Sequence, residues 1–230
     1  MAALIFMLVP WFALAIGGLI AMFRPPSDTF SASTQHLAAG VVFAAAATEV
    51  LPDLTHQGST AAILIGGGLG LLAMFGIKQL GKYLKGGWSL IILIAIDILV
   101  DGVVLGIGFA AGARQGLLLL VALTLEIFFL GLTAAEELKE TLKTPLKVFL
   151  GLFLCGLLLP LGSLLGAPVH TLPPFYQGIA FAFALIALLY LVTEELLVEA
   201  HEKPDSPFIT SMFFVGFLGL LALESAVPAG

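Results

Sequence analysis

The chain has 230 residues, 60% of them hydrophobic and 10% charged, with a mean hydropathy of +1.14 and nine Lys+Arg against fifteen Asp+Glu. An average soluble domain is about 45–50% apolar and about 25% charged, so these few charges exclude a water-soluble globule, whose surface they could not cover, and the apolar excess excludes a disordered chain. The acidic balance and the lack of a dense basic cluster exclude a nucleic-acid partner, leaving an all-α integral membrane protein.

A spanning helix needs about 20 mainly apolar residues, and breaks at Gly, Pro and polar clusters divide the chain into eight such segments. The first, near 4–23, has no basic residue before it and Arg24 after it, so it reads as a retained helix and not as a secretory signal. The second, near 35–54, begins at His36, read as an interfacial residue, and carries Glu49 and Asp53 near its far end with His56 just beyond. The third, near 60–80, finishes among Lys78, Lys82 and Lys85. The fourth, near 88–112, holds Asp97 and Asp101, and the fifth, near 115–138, follows Arg114 and holds Glu126 in its middle. The sixth, near 145–166, contains the chain's one cysteine, Cys155, which therefore has no intrachain disulfide partner. The seventh, near 174–201, is preceded by His170, read as interfacial, and ends in Glu194, Glu195, Glu199 and His201. The eighth runs near 207–227.

Eight of the nine cations lie on the connections that follow odd-numbered segments, and Arg114 stands alone on the others. The positive-inside rule makes the lysine-rich connections cytoplasmic, so both termini are expected to be extracytoplasmic. Leu69-Gly70-Leu71-Leu72-Ala73-Met74 is echoed 149 residues later by Leu218-Gly219-Leu220-Leu221-Ala222-Leu223, and Glu49 and Asp53 are echoed 146 residues later by Glu195 and Glu199. Five segments between the copies would insert the second upside down, giving a 3+2+3 inverted-repeat arrangement with the site near the midplane. A single transmembrane domain, 1–230, would then comprise a first repeat at 1–81, central helices at 88–138 and a second repeat at 145–228.

An ionisable group near the bilayer centre costs about 2.5–3.5 kcal/mol or more and needs a pairing or functional reason. Asp97, Asp101 and Glu126 qualify by depth, and no Lys, Arg or His lies at that depth in any segment. They are either protonated and hydrogen-bonded or neutralised by a bound cation. Asp97 and Asp101 stack at i and i+4, and the short turn at Arg114 makes the fifth segment an antiparallel neighbour that presents Glu126 at a similar level. Three converging carboxylates make a hard, oxygen-rich cation site. Glu49 and Asp53 on one side, and Glu194, Glu195, Glu199 and His201 on the other, extend acidic steps toward the two faces. Glu202, Asp205, Glu136, Glu137 and Glu140 read as solvated helix ends, and the Gly102/Gly106 pair as a close helix contact holding the carboxylates in place.

The run from Asp97 through Asp101-Gly102 and Gly106 to Phe109-Ala110 resembles the fourth-helix pattern HNxxDGLAIGxxFA of the ZIP (Zrt/Irt-like) family of divalent metal transporters. Thr193-Glu194-Glu195 through Glu199-Ala200-His201-Glu202 is similar to the family's PEAHE ending, and Ala39-Gly40 through Leu51-Pro52-Asp53 to its AAG…LLPE helix. The resemblance implies eight spans, outside termini and a multi-pass plasma-membrane carrier, not an enzyme, that moves Zn²⁺, Fe²⁺ or Mn²⁺ by alternating access. The partners it implies are the metal cation, the lipid bilayer and, at most, a second copy in a homodimer. It also implies transport ligands at Asp97, Asp101 and Glu126, an entrance at Glu49 and Asp53, and an exit at Glu194, Glu195, Glu199 and His201.

The departures are as informative. Asp97 stands where the family usually has His, while Leu130 and Leu159 stand where it has Glu, so a binuclear centre is expected to be absent. Losing imidazole removes the borderline ligands that suit zinc, which shifts the expected selectivity toward harder divalent ions. Two rival readings are a metal-dependent intramembrane enzyme using paired Asp residues and a degenerate homologue that binds metal without carrying it.

Overall fold

The structure is a computed structural model that describes residues 5–57, 59–84, 88–202 and 206–227. Among these residues the chain forms helices and no strand. Eight helical rods follow one another. They are α1 (Leu8–Phe23), α2 (Asp28–Ala45, continuing through Ala46–Val50 to Leu51–Gln57), α3 (Thr60–Tyr83) and α4 (Ser89–Ala111). Then come α5 (Ala113–Leu142), α6 (Pro145–Gly156, Leu158–Gly166 and a 3₁₀ turn Ala167–Thr171), α7 (Pro174–Tyr190, continuing through Leu191–Leu196 to Leu197–His201) and α8 (Pro207–Ala226). Seven of them are long and apolar enough to cross a membrane, and α1 is a shorter apolar helix of 16 residues.

The sequence places the breaks for identifiable reasons. Ser27, Ser59 and Ser206 cap α2, α3 and α8 by accepting hydrogen bonds from the backbone N–H three residues on, each at 3.3 Å. Pro145, Pro174 and Pro207 open α6, α7 and α8, where a missing N–H is no loss. Pro160 cannot donate to the Gly156 carbonyl, and α6 breaks at Leu157. Lys139 Nζ reaches across from α5 to the carbonyls of Ala21 and Met22, satisfying the C-terminal end of α1.

α1 packs on α5, α2 on α8, α3 on α7 and α4 on α6, while α5 also packs against α4 and α2. Small residues make each of the four main contacts close. A Cβ on Gly102 or Gly106 would collide with the Leu159 or Ser163 carbonyl of α6. Gly131 meets Leu14 across α5 and α1, Gly40 meets Phe213 across α2 and α8, and Gly66 meets Ile179 across α3 and α7, each backbone to backbone. The most apolar windows of α2 and α5 are 61% buried, against 22% for α3 and 17% for α8. So α2, α5 and their neighbours α4 and α7 form the interior, and α3 and α8 turn Leu64, Leu72, Phe214 and Leu218 outward. An apolar belt of that extent suits acyl chains and not water.

Two helices widen where they carry acids. In α2 the Leu51 N–H bonds back five residues to Ala46, and in α7 the Leu197 N–H does the same to Val192. Such π turns, Ala46–Val50 and Leu191–Leu196, contain Glu49 in one helix and Glu194 and Glu195 in the other.

Candidate metal centre

α4 and α5 meet antiparallel across the tight connection at Gly112, which brings the middle of one against the middle of the other. One face of α4 presents Asp97 and, one turn later, Asp101; the facing turn of α5 presents Glu126. One oxygen from each lies within 4.8 Å of the other two. Oxygens around a divalent ion at about 2.0–2.4 Å are separated by no more than about 4.8 Å, so this triangle has the right size. Asp101 and Glu126 are buried, at 4% and 2% exposure, and Asp97 is half-buried. Asp101 Oδ2 and Glu126 Oε2 are buried without a hydrogen-bond partner. Leaving such oxygens unmatched costs about 1–3 kcal/mol each, and more if they are charged. Among the described residues the ion pairs Lys78–Glu194 and Arg114–Glu224 lie elsewhere, so no lysine or arginine neutralises the triad.

A small cavity of about 30 Å³ touches the triad on the α7 side, between Asp97, Glu126, Glu195, Glu199 and Gln35. A wider one of about 320 Å³ continues from Asp97, Glu195 and Glu199 past Glu194 and Lys78. Glu195 and Glu199 therefore line both cavities with Asp97, whereas Glu194 borders only the wider one. Lys78 Nζ donates to Glu194 at 2.7 Å, with both side chains about half exposed. His201 Nδ1 is bonded to the Leu197 carbonyl, and its ring stands edge-on to His36, with centroids 5.1 Å apart.

Toward the opposite end Glu49 is sealed, at 3% exposure. Thr48 Oγ1 donates to its Oε1 at 2.9 Å, and Arg114, Glu224 and Asp53 are the charges within electrostatic reach. Asp53 is half-buried one turn on, and the side chain of His56 lies outside the described residues, as do Lys85, Lys203 and Asp205. Arg114 closes this end: its Nη2 lies 3.5 Å from Glu224 Oε1 and donates to the Glu224 carbonyl at 2.9 Å, tying α5 to α8.

Leu130 lines both cavities, and Leu159 is fully buried against Gly102, so the two positions where the resemblance would place further carboxylates are apolar. The structure differs from the sequence reading at the start of α2. The helix begins at Asp28, seven residues before the expected span, which places His36 inside the bundle at 2% exposure and not at an interface. It also buries Gln35, a polar residue that the sequence reading passed over. Ser27 followed by Asp28 is an N-terminal capping pattern that could have moved the boundary. His170 is exposed, bonded to the Ala167 carbonyl.

These features define a multi-pass helical membrane protein with a buried carboxylate cluster at mid-span. The chain is 26% identical over 141 residues, 61% of its length, to the zinc transporter ZIPB of Bordetella bronchiseptica. The match spans about half of that curated relative, 46% of its length. No family model matches the chain.

Proposed function

We propose that this chain carries divalent metal cations across a membrane by alternating access, as a ZIP-like transporter with Asp97, Asp101 and Glu126 as its transport site. The triad carries this conclusion: three carboxylates of two interior helices converge within 4.8 Å at mid-span, and two of their oxygens are buried without a partner. A divalent cation is the ligand that matches both charge and geometry. The name of the relative, a zinc transporter, supports the same class of cargo.

Two symmetric features support a 3+2+3 inverted arrangement of 1–81, 88–138 and 145–228 within one transmembrane unit. The pairings α1 on α5 and α2 on α8 become α6 on α4 and α7 on α3 when the first three helices are exchanged with the last three. The π turns of α2 and α7 then fall at equivalent places. With the lysine-bearing end cytoplasmic, both termini face outward across the plasma membrane, Glu49 and Asp53 receive the ion, and Glu195, Glu199 and His201 release it, with Glu194 held to Lys78 at the rim.

An all-carboxylate site favours Mn²⁺ or Fe²⁺ over strict selection of Zn²⁺. Carboxylates must be deprotonated to bind, so uptake falls as the pH is lowered; a flat rate between about pH 5 and 8 would count against this coupling. The direct test is metal content and flux of the purified chain in liposomes. Wild type carries Mn²⁺ inward with no covalent change to lipid or peptide, and Asp101→Ala loses flux together with the metal held by the triad. Equal metal occupancy in the two proteins would overturn the assignment of the site.

A further inference from the structure

Gln35, on the second turn of α2, faces the small cavity beside the triad. Its side chain is held by Glu199: Nε2 donates to Glu199 Oε2. A carboxylate accepts only, so the amide nitrogen must face it and the amide oxygen must point the other way. That oxygen, Oε1, is buried without a partner, and the whole residue is 3% exposed. It is an orphan acceptor at the wall of a cavity of about 30 Å³, room for one water molecule or one largely dehydrated cation. The other oxygen donors on the wall are Asp97 and Glu126 of the triad, Thr133 beside them on α5, and Glu195 and Glu199 on α7. Six oxygen-bearing side chains from four helices thus surround a space of ionic size, and the Gln35 oxygen lacks any partner.

We infer that this cavity is a second divalent-cation position, held by the Gln35 amide oxygen with Asp97, Glu195 and Glu199, one step along the path from the triad. It rests on the transport reading above and adds an intermediate stop to it. Asp97 belongs to both positions, so an ion moves from Asp101 and Glu126 to Glu195 and Glu199 while one ligand stays bound. The position differs from the binuclear centre that Leu130 and Leu159 preclude, because its new ligands come from α2 and α7, not from α5 and α6. The hydrogen bond from Gln35 to Glu199 makes α2 and α7 a single support, and it orients the Gln35 oxygen before any ion arrives.

The test is a Mn²⁺ titration of the full chain in lipid nanodiscs, followed by metal analysis and electron paramagnetic resonance. Wild type takes two Mn²⁺ per chain, and because they share Asp97 they are spin-coupled. Gln35→Met, close in shape but without the oxygen, keeps one uncoupled Mn²⁺ and weakens the second by at least about tenfold. Gln35→Glu, which retains an oxygen ligand and adds charge, keeps two and tightens the second. Asp101→Asn keeps one, and that one is lost when Gln35→Met is added. Two coupled ions in Gln35→Met, or no tightening in Gln35→Glu, would overturn the inference, and Gln35→Glu decides alone if Gln35→Met does not fold. One ion in wild type that Asp101→Asn removes would leave the triad standing and dismiss the second position. Binding of neither Mn²⁺ nor Zn²⁺ would dismiss both.

Discussion

The acidic turns of α2 and α7 are built alike and used differently. Each is a π turn closed by an N–H that reaches back five residues, and each sets a glutamate toward the bundle interior. Yet Glu49 is sealed under Thr48 and the Arg114–Glu224 tie, while Glu195 lines two cavities that meet at Asp97. The difference lies in the neighbours and not in the turns. At the α2 end a cation on α5 fastens α8 across the bundle. At the α7 end Lys78 pairs with Glu194 on the wall of the wider cavity, and Glu195 and Glu199 line both cavities. One protein thus holds a shut acidic turn and an open one.

The largest effect is expected between the two ends. Asp101→Asn removes one of the two buried carboxylates of the triad, and Mn²⁺ flux into liposomes should fall at least about 100-fold, more than the loss of a supporting residue costs. A variant with near-normal flux would show that the two turns communicate without the triad. The comparison itself is tested next by cysteine labelling in a Cys155→Ala background. Glu199→Cys should react with a polar thiol reagent at least about ten times faster than Glu49→Cys, since a buried thiol is reached only when the helices part. Equal rates would mean that the two ends are equally open.

The seal at the α2 end should then yield to a smaller change. A partly exposed ion pair is worth about 1 kcal/mol, which is about a fivefold shift in a two-state equilibrium. Arg114→Ala should therefore raise labelling of Glu49→Cys by about that factor and leave Glu199→Cys unaffected. An unchanged rate at Glu49→Cys would place the closure in helix packing, with Gly40 against Phe213 as its tightest point.

Much of this contrast was legible in the sequence, and the reasons are local. Eight apolar runs separated by proline, glycine and lysine marked eight rods, and the spacing of Asp97 to Asp101 with the short turn before Glu126 marked the triad. Chain order could not separate Glu194 from Glu195, because adjacent residues on a helix point about 100° apart and only the packing decides which faces inward. Gln35 was passed over, and His36 read as interfacial, for a different reason. Ser31, Ser33, Thr34, Gln35 and His36 lower the apolar signal of the first turns of α2, so the span was expected to begin only near residue 35. In the fold Ser31, Gln35 and His36 are buried inside the bundle, and Gln35 lines the cavity beside the triad. Hydropathy finds what faces lipid and passes over polar side chains buried between helices.

The smallest expected effect sharpens the likeness of the two turns. In α2 the π turn is followed by Pro52, which has no N–H to return to the widened turn. The matching residue in α7, by the 146-residue offset, is Val198, and it carries an N–H. So α2 has a local cause for its widening and α7 has none in its own sequence. Outside its own helix the α7 turn packs against α2, and Lys78 of α3 pairs with its Glu194. If the two backbones are equivalent there, Val198→Pro should be nearly neutral. Val198 is 44% exposed, and the ring that would clash with a preceding carbonyl in a regular helix meets a widened turn instead. Thermal unfolding should change by less than about 1 kcal/mol, against about 3 kcal/mol or more for Leu188→Pro in the regular part of the same helix. A loss at Val198→Pro as large as at Leu188→Pro would show that the turns only look alike, and that the open path at α7 depends on a backbone α2 does not share.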